Sequence, residues 1–316
     1  MTAPTTDDGT IVVAGEALFD IVLSPTGGIR AHPGGAPFNL ARTIGRLEQP
    51  VAFLGRVSRD RFGAELLRRL EADAVNVESV VATVEPTTLA IVEIGEGGSA
   101  SYHFYTAATS APGLEIDDAA RALPERVATL VIGGLGLVLE PMASALEAIV
   151  EVVPGGTLVA LDPNCRPAII EDPAAYRQRL ARLLRHSDLV KVSEEDLAWL
   201  SPERPPVAAA RALLEGGARL TLVTTGPRGA IVVTAAEEFP VPAPSVDVVD
   251  TIGAGDAFGG AFLAWWRRNG LSADDLGRLD LVREATRFAC LVGARTCERP
   301  GAWPPRLSEL EGHGAS

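Results

Sequence analysis

The chain reads as an α/β protein in which a mostly parallel β-sheet is covered by helices on both faces. Two patterns predict this. Short β-branched runs recur along the whole length, and most are followed by stretches with apolar residues three and four apart. Strands that alternate with amphipathic helices build a parallel sheet, because parallel neighbours need a crossover connection. A third observation adds a departure: two stretches break the rhythm and predict a small antiparallel sheet projecting from the main body as a lid.

In chain order, the first strand is IVVAG from Ile11. No helix follows it at once; LFDIVLSPTGGIRAHPGG comes first, and only then the helical FNLARTIGRL from Phe38. VAFLG from Val51 is the next strand and RFGAELLRRLEAD its helix. The second break, TTLAIVEIGEGGSASYHFYT, reads as a hairpin turning at Gly97-Gly98. Then TLVIGG, TLVALD, DLVKV and LTLVTTG give strands, interleaved with the helical PMASALEAIVEVV, YRQRLARLLRH and PVAAARALLEGG. A last predicted strand, SVDVVD, leads through a turn into a helix beginning near Ala254. No repeat or Pro/Ser linker divides the chain, so the expectation is one domain over residues 1–316, with lid segments near 17–34 and 86–110.

Composition narrows the function classes. With 47% hydrophobic and 22% charged residues, the chain has the balance of a globular protein with a sizeable core. A formal charge of −13 argues against a nucleic-acid partner, and one lysine cannot make a polybasic membrane patch. Cys165, Cys290 and Cys297 form no C-x-x-C pair and His32, His103, His186 and His313 are scattered, which speaks against structural zinc. The polar, acidic start MTAPTTDDGT lacks the regions of a signal peptide, and the longest uncharged apolar run, Val127 to Leu139, is too short for a bilayer. The expected location is cytoplasmic.

Two constellations carry chemistry. In DVVDTIGAGDAFGG, Gly253, Ala254 and Gly255 form a small-residue turn at a helix start, with Asp256 beside it. The first N–H groups of a helix lack internal partners and sit at the positive end of its dipole, so they suit a phosphoryl group in transit. Asp256 could then act as base toward an attacking hydroxyl, or it could simply favour the helix start. In HPGGAPFNLARTIGRL, Gly34 and Gly35 precede a helix whose first turn holds Asn39, either a sugar-binding amide or a cap. The common nucleotide motifs fail: no G-x-x-x-x-G-K-[ST] occurs, and Phe258 spoils the last position of a G-x-G-x-x-G.

GGAPFNLARTIGRL near the N-terminus and DTIGAGDAF near the C-terminus together resemble the paired signatures of the PfkB/ribokinase family of carbohydrate kinases. Their order, their separation and the α/β background extend the likeness over nearly the whole chain. Within the family, GEALFDIV, PTTLAIVE, SASYHFYTAATSA and LDPNCRP are most similar to the bacterial fructokinase branch. The resemblance implies a ribokinase-like three-layer α/β/α fold with a β-sheet lid, and ATP-dependent phosphorylation of a primary sugar hydroxyl, D-fructose to fructose 6-phosphate. Alternatives are a 2-keto-3-deoxygluconate kinase, a nucleoside kinase or, outside enzymes, a sugar-sensing binding protein.

The same resemblance implies Asp256 as base and the amides of Gly253, Ala254 and Gly255 as an anion hole. It implies sugar contacts from Asp20, Gly34, Gly35, Asn39, Asn164 and Arg166, with Phe104 closing over the ring. It sets Thr224, Gly226 and Gly229 along ATP. KVSEEDL stands where the family has Asn-x-x-Glu, so Ser193 takes the phosphate-side position and Asp196, with Glu195 as substitute, the Mg²⁺-organising one. Asp250 and the Ile252 carbonyl are implied near a bound K⁺, although Asp250 could also cap the turn. The family further implies a homodimer joined through the lids.

Overall fold

The computed structural model describes residues 9–23, 28–94 and 100–310. Its strands are β1 Thr10–Ala14, β2 Leu18–Leu23, β3 Ile29–Gly34, β4 Val51–Ser58, β5 Val80–Thr83, β6 Leu89–Ile94 and β7 Ala100–Tyr105. They continue with β8 Val127–Gly133, β9 Leu158–Asp162, β10 Leu189–Ser193, β11 Leu220–Thr224, β12 Ala230–Val233 and β13 Glu238–Val241. Among the described residues they form a nine-stranded sheet, ordered β13-β12-β11-β10-β9-β8-β1-β4-β5, and a four-stranded sheet, ordered β3-β2-β6-β7.

The large sheet is parallel from β11 through β5, as the alternating pattern requires. Side chains alternate across it. Ile11 and Val13 of β1 enter one core with the helices Ala36–Arg46, Ala254–Arg268 and Leu279–Thr296. Val12 and Ala14 enter the opposite core with the helices Met142–Val152 and Pro173–Leu184. Burial on both faces explains why the strands read as continuous apolar runs rather than alternating ones.

Two expectations need correction. The small sheet is mixed, since β2 pairs with β3 antiparallel but with β6 parallel. The two segments cross over through the body before meeting, so they cannot form one meander. The tip at Gly97-Gly98 lies outside the described residues. SVDVVD is not a strand: β12 and β13 close the large sheet's edge antiparallel, and residues 242–250 leave it. Pro242 and Pro244 have no N–H to continue a ladder. The segment is held instead by Val249 and Asp250, whose N–H groups donate to the Cys297 carbonyl at 2.8 and 3.1 Å.

Parallel pairing brings the carboxyl ends of four strands into one row. Gly133 of β8 aligns with Asp162 of β9, and Ser193 of β10 with Thr224 of β11. Ligands of open α/β sheets bind outside such ends.

Candidate active site

The helix Ala254–Arg268 supplies the centre. Its N-cap, Gly253, adopts φ 76°, and a Cβ there would stand 2.5 Å from the Cβ of Ala302, so glycine meets both the conformation and the space. Further along, a Cβ on Gly260 would lie 2.9 Å from the Leu40 carbonyl oxygen. That bare surface lets the helix Ala36–Arg46 pack close against Ala254–Arg268. The close approach places Asn39 so that its Nδ2 donates to Asp256 Oδ2 at 2.9 Å, with both side chains buried. Two signatures 217 residues apart thus meet in one hydrogen bond.

Asn39 is not a cap. The helix starts at Gly35 with no side-chain cap bond. Because a carboxylate only accepts, the Asn39 amide presents its NH₂ to Asp256, which leaves Oδ1 buried without a partner. Of the turn amides, that of Ala254 is given to the Thr251 carbonyl at 3.3 Å, while Gly253 and Gly255 flank it.

Asp256 is surrounded by opposing influences. Burial pushes its carboxyl above the ordinary aspartate value; the Lys191 ammonium, the Asn39 hydrogen bond and Arg166 each pull it back. Asp20, reaching in from β2, is pushed up to about 6 by burial, against the pull of Arg166 and with the Asp256 charge adding to the rise. Gly34 faces this carboxylate so closely that a Cβ would stand 2.1 Å from Asp20 Oδ2. Gly35 turns the chain into the helix with φ 106°. Arg166 folds over its own loop, donating to the carbonyls of Asn164 at 3.3 Å and Cys165 at 3.0 Å, and Asn164 holds φ 40°. A non-glycine residue in that region is strained, a condition that gathers at ligand-binding turns. Phe104 of β7 packs with Leu18, Ala90 and Leu135 where the small sheet meets the body.

The positions implied for nucleotide and metal are placed differently. Thr224 ends β11, and the turn after it closes through the Thr225 N–H to the Gly229 carbonyl at 2.8 Å, with Gly226 at φ 59° and Gly229 at φ 96°. Ser193 and Asp196 form a capping box on the helix Glu194–Leu200. Asp196 Oδ2 accepts from Ser193 N and Oγ at 3.0 and 2.8 Å, and Oδ1 from the Cys165 N–H at 2.7 Å. One Asp196 oxygen thus closes the capping box while the other braces the Asn164–Arg166 loop. Glu195 is exposed at the start of that helix. Asp250 does cap the turn, accepting from Ile252 N at 3.0 Å, and its other oxygen accepts from Gly301 N at 2.7 Å.

Three buried groups beside the site escaped the sequence reading. Lys191 Nζ donates to Asp162 Oδ2 at 2.9 Å. Burial lifts Asp162 to about 6 against the pull of Lys191. Glu16, just past β1, accepts from the N–H groups of Ala36 and Gly136, both at 3.3 Å, and burial lifts it to about 7. A signal existed for two of them. Strand alternation sends Val190, Val192 and Leu161 into one core, which turns Lys191 and Asp162 toward the helix Ala254–Arg268.

A carboxylate at a helix start, beside a glycine turn and an amide, above the strand ends, is the arrangement of a phosphotransferase acting on a hydroxyl. The chain belongs to the pfkB family of carbohydrate kinases, whose model matches residues 9–308. Among curated proteins it is similar to the fructokinase of Rhizobium leguminosarum bv. trifolii, at 35% identity over 258 residues, covering 80% of this chain and 78% of that one. Among solved structures it is similar to the ATP-bound fructokinase of Xylella fastidiosa: TM-score 0.88, 29% identity, 96% of this chain and 97% of that one. The fructokinase of Vibrio cholerae O395, bound to fructose, ADP and calcium, gives TM-score 0.82 at 27% identity, covering 94% and 95% of the two chains. The three-layer architecture with its small second sheet is accordingly ribokinase-like.

Proposed function

We propose that this chain transfers the γ-phosphoryl group of ATP to a primary hydroxyl of a sugar, with D-fructose as substrate and fructose 6-phosphate as product. The observation that carries the reading is the buried Asn39–Asp256 pair at the start of the Ala254–Arg268 helix. It joins a proton acceptor, an unpartnered amide oxygen suited to a sugar hydroxyl, and a helix N-terminus suited to a phosphoryl group. The fructose- and ATP-bound relatives support the choice of substrates.

In this mechanism Asp20 and Asn39 hold sugar hydroxyls, and Asn164 and Arg166 line the cleft opposite them. Asp256 takes the proton of the attacking hydroxyl as the hydroxyl oxygen bonds to the γ-phosphorus and the bond from that phosphorus to the departing ADP breaks. The turn amides of Gly253 and Gly255, with the dipole of their helix, meet the charge on the transferring group. Thr224, Gly226 and Gly229 form the nucleotide wall, with Ser193 at the phosphate end. The small sheet, carrying Asp20 and Phe104, excludes water that would otherwise compete as acceptor. In this reading the chain is one kinase domain with that sheet as its lid.

Among the described residues no three His, Cys, Asp or Glu side chains close a metal cage. The donors near the site are carboxylate oxygens, which fit a hard ion carried in on nucleotide phosphates and water. Asp196 through a bridging water, or Glu195 in its place, would meet Mg²⁺, which would supply charge neutralisation on the phosphate oxygens. Asp250 and the Ile252 carbonyl would hold K⁺. Ile29 at 71% and Tyr105 at 61% exposure leave apolar area on the small sheet, in support of a homodimer through the lids.

A coupled assay against fructose, ribose, 2-keto-3-deoxygluconate and adenosine tests the assignment. Fructose should give the highest kcat/KM, and a higher value for any of the other three would overturn it.

A further inference from the structure

Of the chain's 28 lysines and arginines, Lys191 is the single lysine, and it is 6% exposed. A lone ammonium in the middle of a buried strand needs a reason, because an unpaired buried charge is costly. Its pairing with Asp162 Oδ2 at 2.9 Å satisfies one of its three donors. The second contact is more telling. A Cβ built on Gly255 would stand 3.1 Å from Lys191 Nζ and 3.8 Å from Cε, its nearest atoms beyond the helix's own backbone. The ammonium therefore lies against the second residue of the helix whose third residue is Asp256.

We propose that Lys191 is a positioning residue for phosphoryl transfer: tied to Asp162, its ammonium props the Gly253–Gly255 turn from the sheet side and sets a permanent positive charge between Asp162 and Asp256. The inference rests on the kinase reading above. A fixed cation in a water-poor site acts more strongly than one in solvent and needs no reorganisation as charge moves. The groups facing it are Asp162 from the end of β9, Asp196 from the helix Glu194–Leu200 and Asp256 from the helix Ala254–Arg268. Arg166 and Asp20 act on Asp256 and on each other from the far side. Burial alone would push the lysine down; Asp162 first, then Asp256, outweigh it and leave the group above its ordinary value. Among the groups that keep Asp256 ionised, Lys191 is the strongest. An ammonium is a compact point charge and a guanidinium a planar fork, so arginine would not place its charge at the same spot beside Gly255.

The test compares wild type with Lys191→Met, Lys191→Arg and the double variant Lys191→Met/Asp162→Asn, all with fructose and ATP. The double variant removes the buried pair together, so it keeps the fold if the single variant leaves Asp162 stranded. Removing the ammonium should lower kcat about 10- to 100-fold, with fructose KM nearly unchanged, as supporting groups around a reactive centre typically do. The acid limb of the pH profile of kcat/KM should move to higher pH, because Asp256 loses the cation that pulls its carboxyl down most and holds its proton longer. Arginine should not restore either property. With ¹³C-labelled lysine the protein gives one Cε signal, and Asp256→Asn should move it in the sugar-free protein.

A double variant within about threefold of wild-type kcat would overturn the inference, as would a slow one whose acid limb stays in place. An unmoved lysine signal would do the same. Wild type that fails to phosphorylate fructose would overturn both this inference and the kinase reading, and so tells the two failures apart.

Discussion

The two helices that carry Asn39 and Asp256 and the small sheet that carries Asp20 form opposite walls of one site, yet they are built differently. The helical wall is set by packing: Gly260 against the Leu40 carbonyl and Gly253 against Ala302 leave Asn39 and Asp256 one arrangement, hydrogen-bonded and buried. The sheet wall is set by pairing between two chain segments that join, among the described residues, through β2 and β6. It offers one carboxylate, Asp20, whose charge depends on Arg166 across the cleft. A wall fixed by its core suits the step in which bonds change. A wall fixed by a small sheet suits admission and grip of the sugar.

The largest break should come from the helical wall. Asp256→Asn keeps the shape and most hydrogen bonding but removes the proton acceptor, so kcat should fall about 10²–10⁴-fold while fructose KM stays close to wild type. Steady-state kinetics on the folded variant check this. Exposed Asp247, upstream in the same segment, serves as control, and Asp247→Asn should behave as wild type.

The sheet wall should show the opposite split. Asp20→Asn should raise fructose KM roughly 10- to 100-fold, the range for losing a charged hydrogen-bond acceptor, with a smaller change in kcat. Asp20 is held near 6, so fructose KM should rise as pH falls through that value in wild type. The variant should lack this dependence; a KM profile identical in both would break the distinction between the walls.

Glu16 sits at the joint between them, accepting from Ala36 at the head of one helix and from Gly136. Its folded-state value of about 7 lies above the ordinary 4.5, so between those pH values the folded chain binds a proton that the unfolded chain does not. Stability must then fall as pH rises from 4.5 to 7, by an amount on the order of 3 kcal/mol. In Glu16→Gln this component should vanish, which denaturant unfolding at several pH values measures. Smallest should be the effect of the monovalent ion. Asp250 already spends both oxygens on Ile252 and Gly301, so potassium should stimulate severalfold rather than switch the enzyme on. Equal rates in potassium and tetramethylammonium would remove the ion from the account.

Much of the helical wall was legible in the sequence, because glycines, a carboxylate and apolar periodicity are local signals. IVVAG through LTLVTTG gave the parallel strands and GAGDAF the helix start, all of which the fold contains. What was not legible depends on distance in space. SVDVVD reads as a strand by its valines, but the prolines before it and the Cys297 carbonyl decide otherwise. The parallel pairing of β2 with β6 has no local signature. The bracing of the Asn164–Arg166 loop by Asp196 through the Cys165 amide has no local signature either. The lone lysine served in the sequence only to exclude a polybasic membrane patch, and the role proposed for it rests on its contacts with Asp162 and Gly255.

The central claim is that Asp256 delivers a sugar's primary hydroxyl to the γ-phosphoryl group. The most direct test is the ³¹P spectrum of the product made from fructose and ATP by wild type and by Asp256→Asn in parallel. The account predicts fructose 6-phosphate from wild type and at most about a tenth of that rate from the variant, given the usual size of a base effect. Phosphorylation at another position, or a folded variant that keeps pace with wild type, would contradict it.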